Sequence, residues 1–306
     1  MWSKHPQYVI ARKNFSSGFT PWKLTNLHNQ IPKVIFICGG SESNCKNRNS
    51  IETYFQKHLP KFLTFRAEKA WEVISKDEKE NVLALEEWLA DFSDVIIILV
   101  ESFGTAAELG AFALSSPLRE KLLPILDISY KDDESFINTG PIRWVDNDSK
   151  FGPSIYTHFD TILTCIPDVE KRISRRTIES LSSSRTFGEF NFSKKVMLFF
   201  LVYLISALGP ITLKEIVGIT NDTIRYKDKK DINFILSVGV ALNIFKVTKS
   251  SDFEFFSCVD YEKLFKESST KAFLHSIQAS RARSLSSLLA ISDYRDVLNE
   301  VVQNAT

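Results

Sequence analysis

Two short segments of this 306-residue chain carry residue types whose spacing could do chemistry. The first is Val100-Glu101-Ser102-Phe103-Gly104-Thr105-Ala106-Ala107-Glu108-Leu109-Gly110. Gly104 permits a turn, Thr105 is placed to cap a helix, and Glu108 then falls in the first helical turn. A helix start favours an ionised carboxylate and keeps it available as a nucleophile or electrostatic stabiliser. The spacing also has a purely local explanation, because Glu108 lies three residues after Thr105 and would close a capping box. On spacing alone, the local explanation is the stronger. The second segment, Cys38-Gly39-Gly40-Ser41-Glu42-Ser43, offers backbone N–H groups with little bulk. That suits a phosphate or ribose approaching the next helix, although two glycines after a strand are often only a tight turn.

Both segments need strands to hold them. Lys33–Cys38 is a short apolar run closed by glycines and reads as a buried strand. Residues 94–100 form the clearest strand of the chain. Between them we expect a helix over 49–59, a weak strand over 62–65 and a helix over 78–92. The last has apolar residues on one face. A helix over 105–115 and strands over 122–126 and 161–165 complete the pattern. Alternating helices and fully apolar strands imply an α/β fold whose parallel sheet is covered on both faces. Ligands of such sheets sit beyond the carboxyl ends of the strands, where both segments fall.

The motif G-T-x-x-E-L-G resembles the nucleoside 2-deoxyribosyltransferase superfamily, in which the matching glutamate is the nucleophile. More narrowly, the chain resembles the nucleoside deoxyribosyltransferase-like effectors of bacterial retrons, systems of anti-phage defence. That likeness rests on Ile35–Gly40, Asp94–Ile98, Glu101-Ser102, Glu108–Phe112 and Ser135–Arg143, in register over residues 33–145. It implies a Rossmann-like or flavodoxin-like parallel sheet and a catalytic Glu108. The transferases usually carry an aspartate six residues before the nucleophile, where this chain has Ser102. The resemblance further implies a toxic N-glycosidase, NAD being the leading substrate and no cofactor being required. Nicotinamide leaves NAD as a neutral molecule and needs no acid, which fits one carboxylate without a histidine beside it. A nucleoside or nucleotide deoxyribosyltransferase or hydrolase is one alternative, and a nucleotide-sensing DNA-binding regulator another. Candidate substrate-binding residues are Gly39, Gly40, Ser41, Arg48, Glu101, Ser102, Gly104, Thr105 and Asn138. Arg48 and Arg143 could meet phosphates, while Asp94 is expected to be structural.

The second half reads differently. Between Lys171 and Lys195 there are seven basic and two acidic residues, the steepest local imbalance in the chain. A solvated linker helix and a nucleic-acid contact explain it about equally well. Beyond it come an apolar helix over 194–208, a short helix capped by Thr212, a third helix over 228–243 and a hairpin of 244–248 with 253–257. Three helices and a hairpin are the order of a winged helix, and Arg225, Lys227, Lys229 and Lys230 precede its recognition helix. Lys171, Arg172, Arg175 and Arg176 join them as candidates for nucleic-acid or partner contact. The retron resemblance implies a reverse transcriptase with its branched RNA–DNA product (msDNA) as partner, and an oligomer or higher-order assembly.

We therefore expect an N-terminal extension over 1–32, a catalytic domain over 33–168, a basic linker helix over 169–193, a winged-helix domain over 194–265 and a helical tail over 266–306. Composition excludes other classes. Lys and Arg total 38 against 37 Asp and Glu, so the whole-chain balance names no polyanionic partner. Four scattered cysteines without a CxxC pair predict neither a zinc site nor a disulfide framework. The apolar run Val196–Leu208 falls short of the roughly 20 residues that span a bilayer, so no membrane segment and a cytoplasmic location are expected.

Overall fold

The computed structural model describes residues 2–19, 31–40, 46–66, 92–174, 194–250, 252–258, 261–265 and 271–303. They fall into two compact units, one drawn from residues 33–174 and the other from the N-terminal segment together with residues 194–303. Helix α1 (Pro6–Gly18) therefore belongs with the C-terminal part of the chain.

The first unit is an α/β sheet in the order β2-β1-β3-β4-β5, with every pairing parallel. Its strands are β1 (Lys33–Cys38), β2 (Phe62–Phe65), β3 (Val95–Leu99), β4 (Leu122–Asp127) and β5 (Ile155–Thr157). Every residue of β3 is buried, as expected of a central strand covered on both faces. Helix α2 (Lys46–His58) follows β1. Helices α3 (Phe103–Leu114) and α4 (Ser116–Arg119) follow β3, and α5 (Arg143–Asp148) and α6 (Ile166–Ile173) complete the unit. Chain order reverses between β1 and β3, and this is where a doubly wound sheet opens a crevice at its carboxyl edge. Register places Cys38 beside Ile98, so Gly39-Gly40 and Val100-Glu101 leave the sheet together.

Two expectations are corrected here. The last strand is Ile155–Thr157, and residues 159–165 form a 3-10 helix instead. Helix α6 opens the stretch expected to be a linker, yet Ile166, Val169 and Ile173 pack into the core of the sheet unit. The expected helix over 78–92 lies almost wholly outside the described residues.

The second unit is built on α7 (Lys194–Leu208), whose residues 195–208 are all buried. Strand β6 (Ile211–Thr212) and helix α8 (Leu213–Ile224) follow. Then come α9 (Lys229–Ala241) and the hairpin β7 (Phe245–Ser250) and β8 (Phe253–Cys258). The strands form a small antiparallel sheet in the order β6-β8-β7. Helices α10 (Lys271–Leu289) and α11 (Ser292–Gln303) close the chain. The buried face of α10 (Phe273, Ile277, Ser280, Ser284, Leu288) repeats at helical spacing, and its serines allow close approach. Arg281 donates to the Gly209 carbonyl at 2.8 Å and to the Tyr294 hydroxyl at 2.9 Å, so the tail belongs to this unit's core. The N-terminus is anchored there too: buried Trp2 stacks on Phe255 at 5.2 Å and meets Tyr294 edge-on at 5.4 Å.

Candidate active site

The segment that carries Glu108 is organised by Ser102, and not by Thr105 as its sequence suggests. Ser102 is the N-cap of α3, and its hydroxyl accepts from the Thr105 N–H at 3.2 Å. The buried Thr105 hydroxyl in turn accepts from the N–H groups of Ser102 (3.0 Å) and Glu101 (3.1 Å). It donates to the Ser102 carbonyl at 2.9 Å. Both members of the capping box are thus accounted for without a carboxylate. Glu108 lies in the second turn of α3, half-buried, and the local explanation of its spacing does not hold. Gly104 is exposed, and a Cβ there would have ordinary room, so the turn does not require it.

Glu101 spans the crevice between β1 and β3. Its Oε1 accepts from the Gly40 N–H and its Oε2 from Asn47 Nδ2, each at 3.2 Å. Gly39 permits a different approach: a Cβ on it would come within 2.8 Å of the Arg48 side chain, whose stem lies against it. Arg48 is buried, with its stem packed against Gly39. Behind it lies a charged layer the sequence did not announce. Arg66, just after β2, pairs with Glu52 and bonds the Asn49 side chain, and both Arg66 and Glu52 are buried. Arg48, Ile51, Glu52 and Phe55 make the inward face of α2 at helical spacing. Two charges on that face were the available signal.

Other candidates are placed as follows. Asn138 donates to the carbonyls of Tyr130 (2.7 Å) and Asp133 (2.8 Å) and accepts from the Tyr156 hydroxyl, stapling the loop after β4. Arg143 is exposed at the start of α5. Asp94 accepts from the Val34 N–H at 2.7 Å, tying β3 to β1 at the edge away from the crevice. Ser41 lies outside the described residues. At the end of β4, the Ser129 hydroxyl and the Ser129 and Phe159 N–H groups hold the Asp127 carboxyl below its ordinary value. Burial pushes the Cys165 thiol up to about 11 and the Cys258 thiol to about 12, so neither is a thiolate at neutral pH. Among the described residues no group of His, Cys, Asp and Glu is arranged to hold a metal ion.

In the basic stretch, Arg172 is corrected. It is buried, pairs with Asp168 at 2.7 Å and caps the carbonyls of Phe151 and Pro153, so it is a structural residue of the sheet unit. Lys171 is exposed, while Arg175 and Arg176 lie outside the described residues. Arg225, Lys227, Lys229 and Lys230 are all exposed around the start of α9. Lys229 also lines an open groove of about 1010 Å³ with Lys214 of α8, Lys249 of β7, and Asp252, Phe253 and Glu254 of the hairpin. No helix among the described residues is long and apolar enough to cross a membrane.

The described residues thus form an α/β unit with an all-parallel sheet, carrying a half-buried glutamate on the helix after β3, and a helical unit with a small antiparallel sheet. The chain belongs to the STM3845 retron effector family, which matches residues 44–247. It is 25% identical over 277 residues to the Escherichia coli protein named "Retron Ec73 putative ribosyltransferase/DNA-binding protein", covering 82% of this chain and 83% of that one. It is also 36% identical over 114 residues to the "Retron Ec86 putative ribosyltransferase/DNA-binding protein" of the same organism, a match covering 37% of each chain.

Proposed function

We propose that the sheet unit is an N-glycosidase that hydrolyses NAD to ADP-ribose and nicotinamide, with Glu108 as its catalytic carboxylate. The observation that carries this reading is the position of Glu108. It lies half-buried in the second turn of the helix that follows β3 and is not needed to cap α3, because Ser102 and Thr105 do that. A carboxylate there answers the positive charge that grows on C1′ as the glycosidic bond lengthens. The bonding pair departs with the nicotinamide nitrogen, which becomes neutral. Glu108 either bonds C1′ or stabilises the cation, and water then supplies the new hydroxyl and releases a proton. The raised cysteine pKa values leave no competing thiolate among Cys165 and Cys258.

The names of the two relatives favour a second reading, transfer of the ribosyl group to an acceptor other than water. The second unit has the element order of a winged helix, and Arg225, Lys227, Lys229 and Lys230 give its recognition helix a cationic approach. As a retron effector, the chain would be controlled by a reverse transcriptase–msDNA complex engaging these residues, within an oligomeric assembly.

The test is product analysis with wild type and Glu108→Gln. Wild type should yield ADP-ribose and nicotinamide, and the variant should lose roughly 10²- to 10³-fold or more of that rate. A new nucleoside formed from added free base would favour transfer over hydrolysis. Equal rates for variant and wild type would remove Glu108 from the chemistry.

A further inference from the structure

The glycine loop after β1 has the residue types of a phosphate cradle, yet its buried Gly40 N–H already holds an acceptor. That acceptor is the Glu101 carboxylate at 3.2 Å, reaching over from the end of β3. Its other oxygen is fixed by Asn47 in the first turn of α2, also at 3.2 Å. A helix start next to glycine amides is where an anion would settle, and here the protein supplies one from its own chain. We infer that Glu101 is a resident anion: it takes the position of a substrate phosphate at the Gly40 N–H and excludes phosphate from that donor. The inference rests on reading the crevice as a site for a nucleoside or nucleotide, and it fixes which part of that substrate can face the loop.

Among the described residues each carboxylate oxygen accepts one hydrogen bond, and its second lone pair lets Glu101 accept from neutral hydroxyl donors such as those of ribose. It repels a phosphate oxygen at the same place, since like charges a few ångströms apart oppose each other. Glu101 therefore selects the sugar over the phosphate at this wall. The phosphate arm of a nucleotide must leave the crevice by another side.

The experiment needs no turnover and so stands apart from the glycosidase reading. Inorganic phosphate is titrated into the full chain while the Gly40 amide resonance is followed. Wild type, Glu101→Ala and Glu101→Gln are compared, with melting curves confirming that each is folded. In wild type the Gly40 amide should stay unmoved through the millimolar range. In Glu101→Ala it should move saturably, with phosphate binding at least roughly tenfold tighter, the size of one close charge–charge effect near a surface. Glu101→Gln removes the charge but keeps an acceptor for Gly40, and should fall between the two. Saturable movement in wild type overturns the inference, because the loop would then be a phosphate cradle despite Glu101. So does a folded Glu101→Ala that gains nothing. If that variant does not fold, Glu101→Gln decides: no gain over wild type overturns the inference.

Discussion

Thr105→Val separates two roles that the residue could have in the crevice. The substitution keeps the shape of the side chain and removes its hydroxyl oxygen. In the structure that oxygen accepts from Glu101 N–H and Ser102 N–H and donates to the Ser102 carbonyl. The carbonyl keeps a bond from the Ala106 N–H and the Glu101 N–H keeps one to the Leu99 carbonyl, each at 3.0 Å, so the loss falls mainly on the Ser102 N–H. A buried donor left without a partner costs about 1–3 kcal/mol, and loss of a helix cap about 1 kcal/mol. Water can reach exposed Ser102, which lowers the cost there. The net expectation is about 1–2 kcal/mol, a fall of roughly 3–6 °C in the melting temperature of the sheet unit. Thr105→Ser keeps the oxygen and should melt close to wild type. The assay pairs thermal unfolding with product formation over a range of substrate concentration. A capping Thr105 predicts a lowered melting point and a lowered kcat, because the segment holding Glu101 and Glu108 loosens. A substrate ligand predicts a raised KM and an unchanged melting point. The second outcome would refute the cap as the reason for this residue.

Other substitutions probe the two units separately. Arg172→Ala should destabilise the sheet unit by about 2–4 kcal/mol, since it strands two carbonyls, and should leave nucleic-acid affinity unchanged. Denaturant unfolding and a salt-series binding assay read the two effects. Trp2→Ala should cost the other unit about 3–5 kcal/mol, because a buried indole stacked on Phe255 leaves a cavity when truncated. A melting curve unchanged by the substitution would mean that the N-terminal segment does not dock there in solution. Burial pushes the Glu215 carboxyl above its ordinary 4.5, against bonds from the Thr212 N–H and hydroxyl that pull it down. The folded state then holds this proton more tightly than the unfolded chain. Its contribution is complete below 4.5 and is lost as pH rises through the higher folded value. Stability measured upward from pH 4 should show that loss, and Glu215→Gln should flatten it.

The central strands were legible because burial on both faces leaves nothing but apolar residues, as in Val95–Leu99. The edge strand was not. Ile155–Thr157 buries only one of three residues, too little pattern to read, while the more apolar stretch 159–165 curls into a 3-10 helix. The cap was misplaced by two conventions. Gly104 reads as a turn, yet at the second position of a helix it costs little, so the helix starts before it. Thr105 is a good capping residue by type, and it serves the cap from inside the helix. The charged wall of the crevice escaped for another reason. Arg48, Glu52 and Arg66 are separated by up to 18 positions, and only the fold brings them into one layer.

Positions 101–108 compress three tasks into eight residues: the carboxylate that holds the glycine loop, the cap of α3, and the candidate catalytic group. They share one stretch of backbone, fixed by a single buried hydroxyl that accepts from the first two residues of the stretch. Changes to Glu101, Thr105 and Glu108 should therefore not add. If the loop positions Glu108, Thr105→Val should cost much of the rate in the wild-type background and almost none on top of Glu108→Gln. Full additivity of the two losses would mean that Glu108 acts from α3 without help from its cap. The Glu101 bonds to Gly40 and Asn47 would then serve the glycine loop alone.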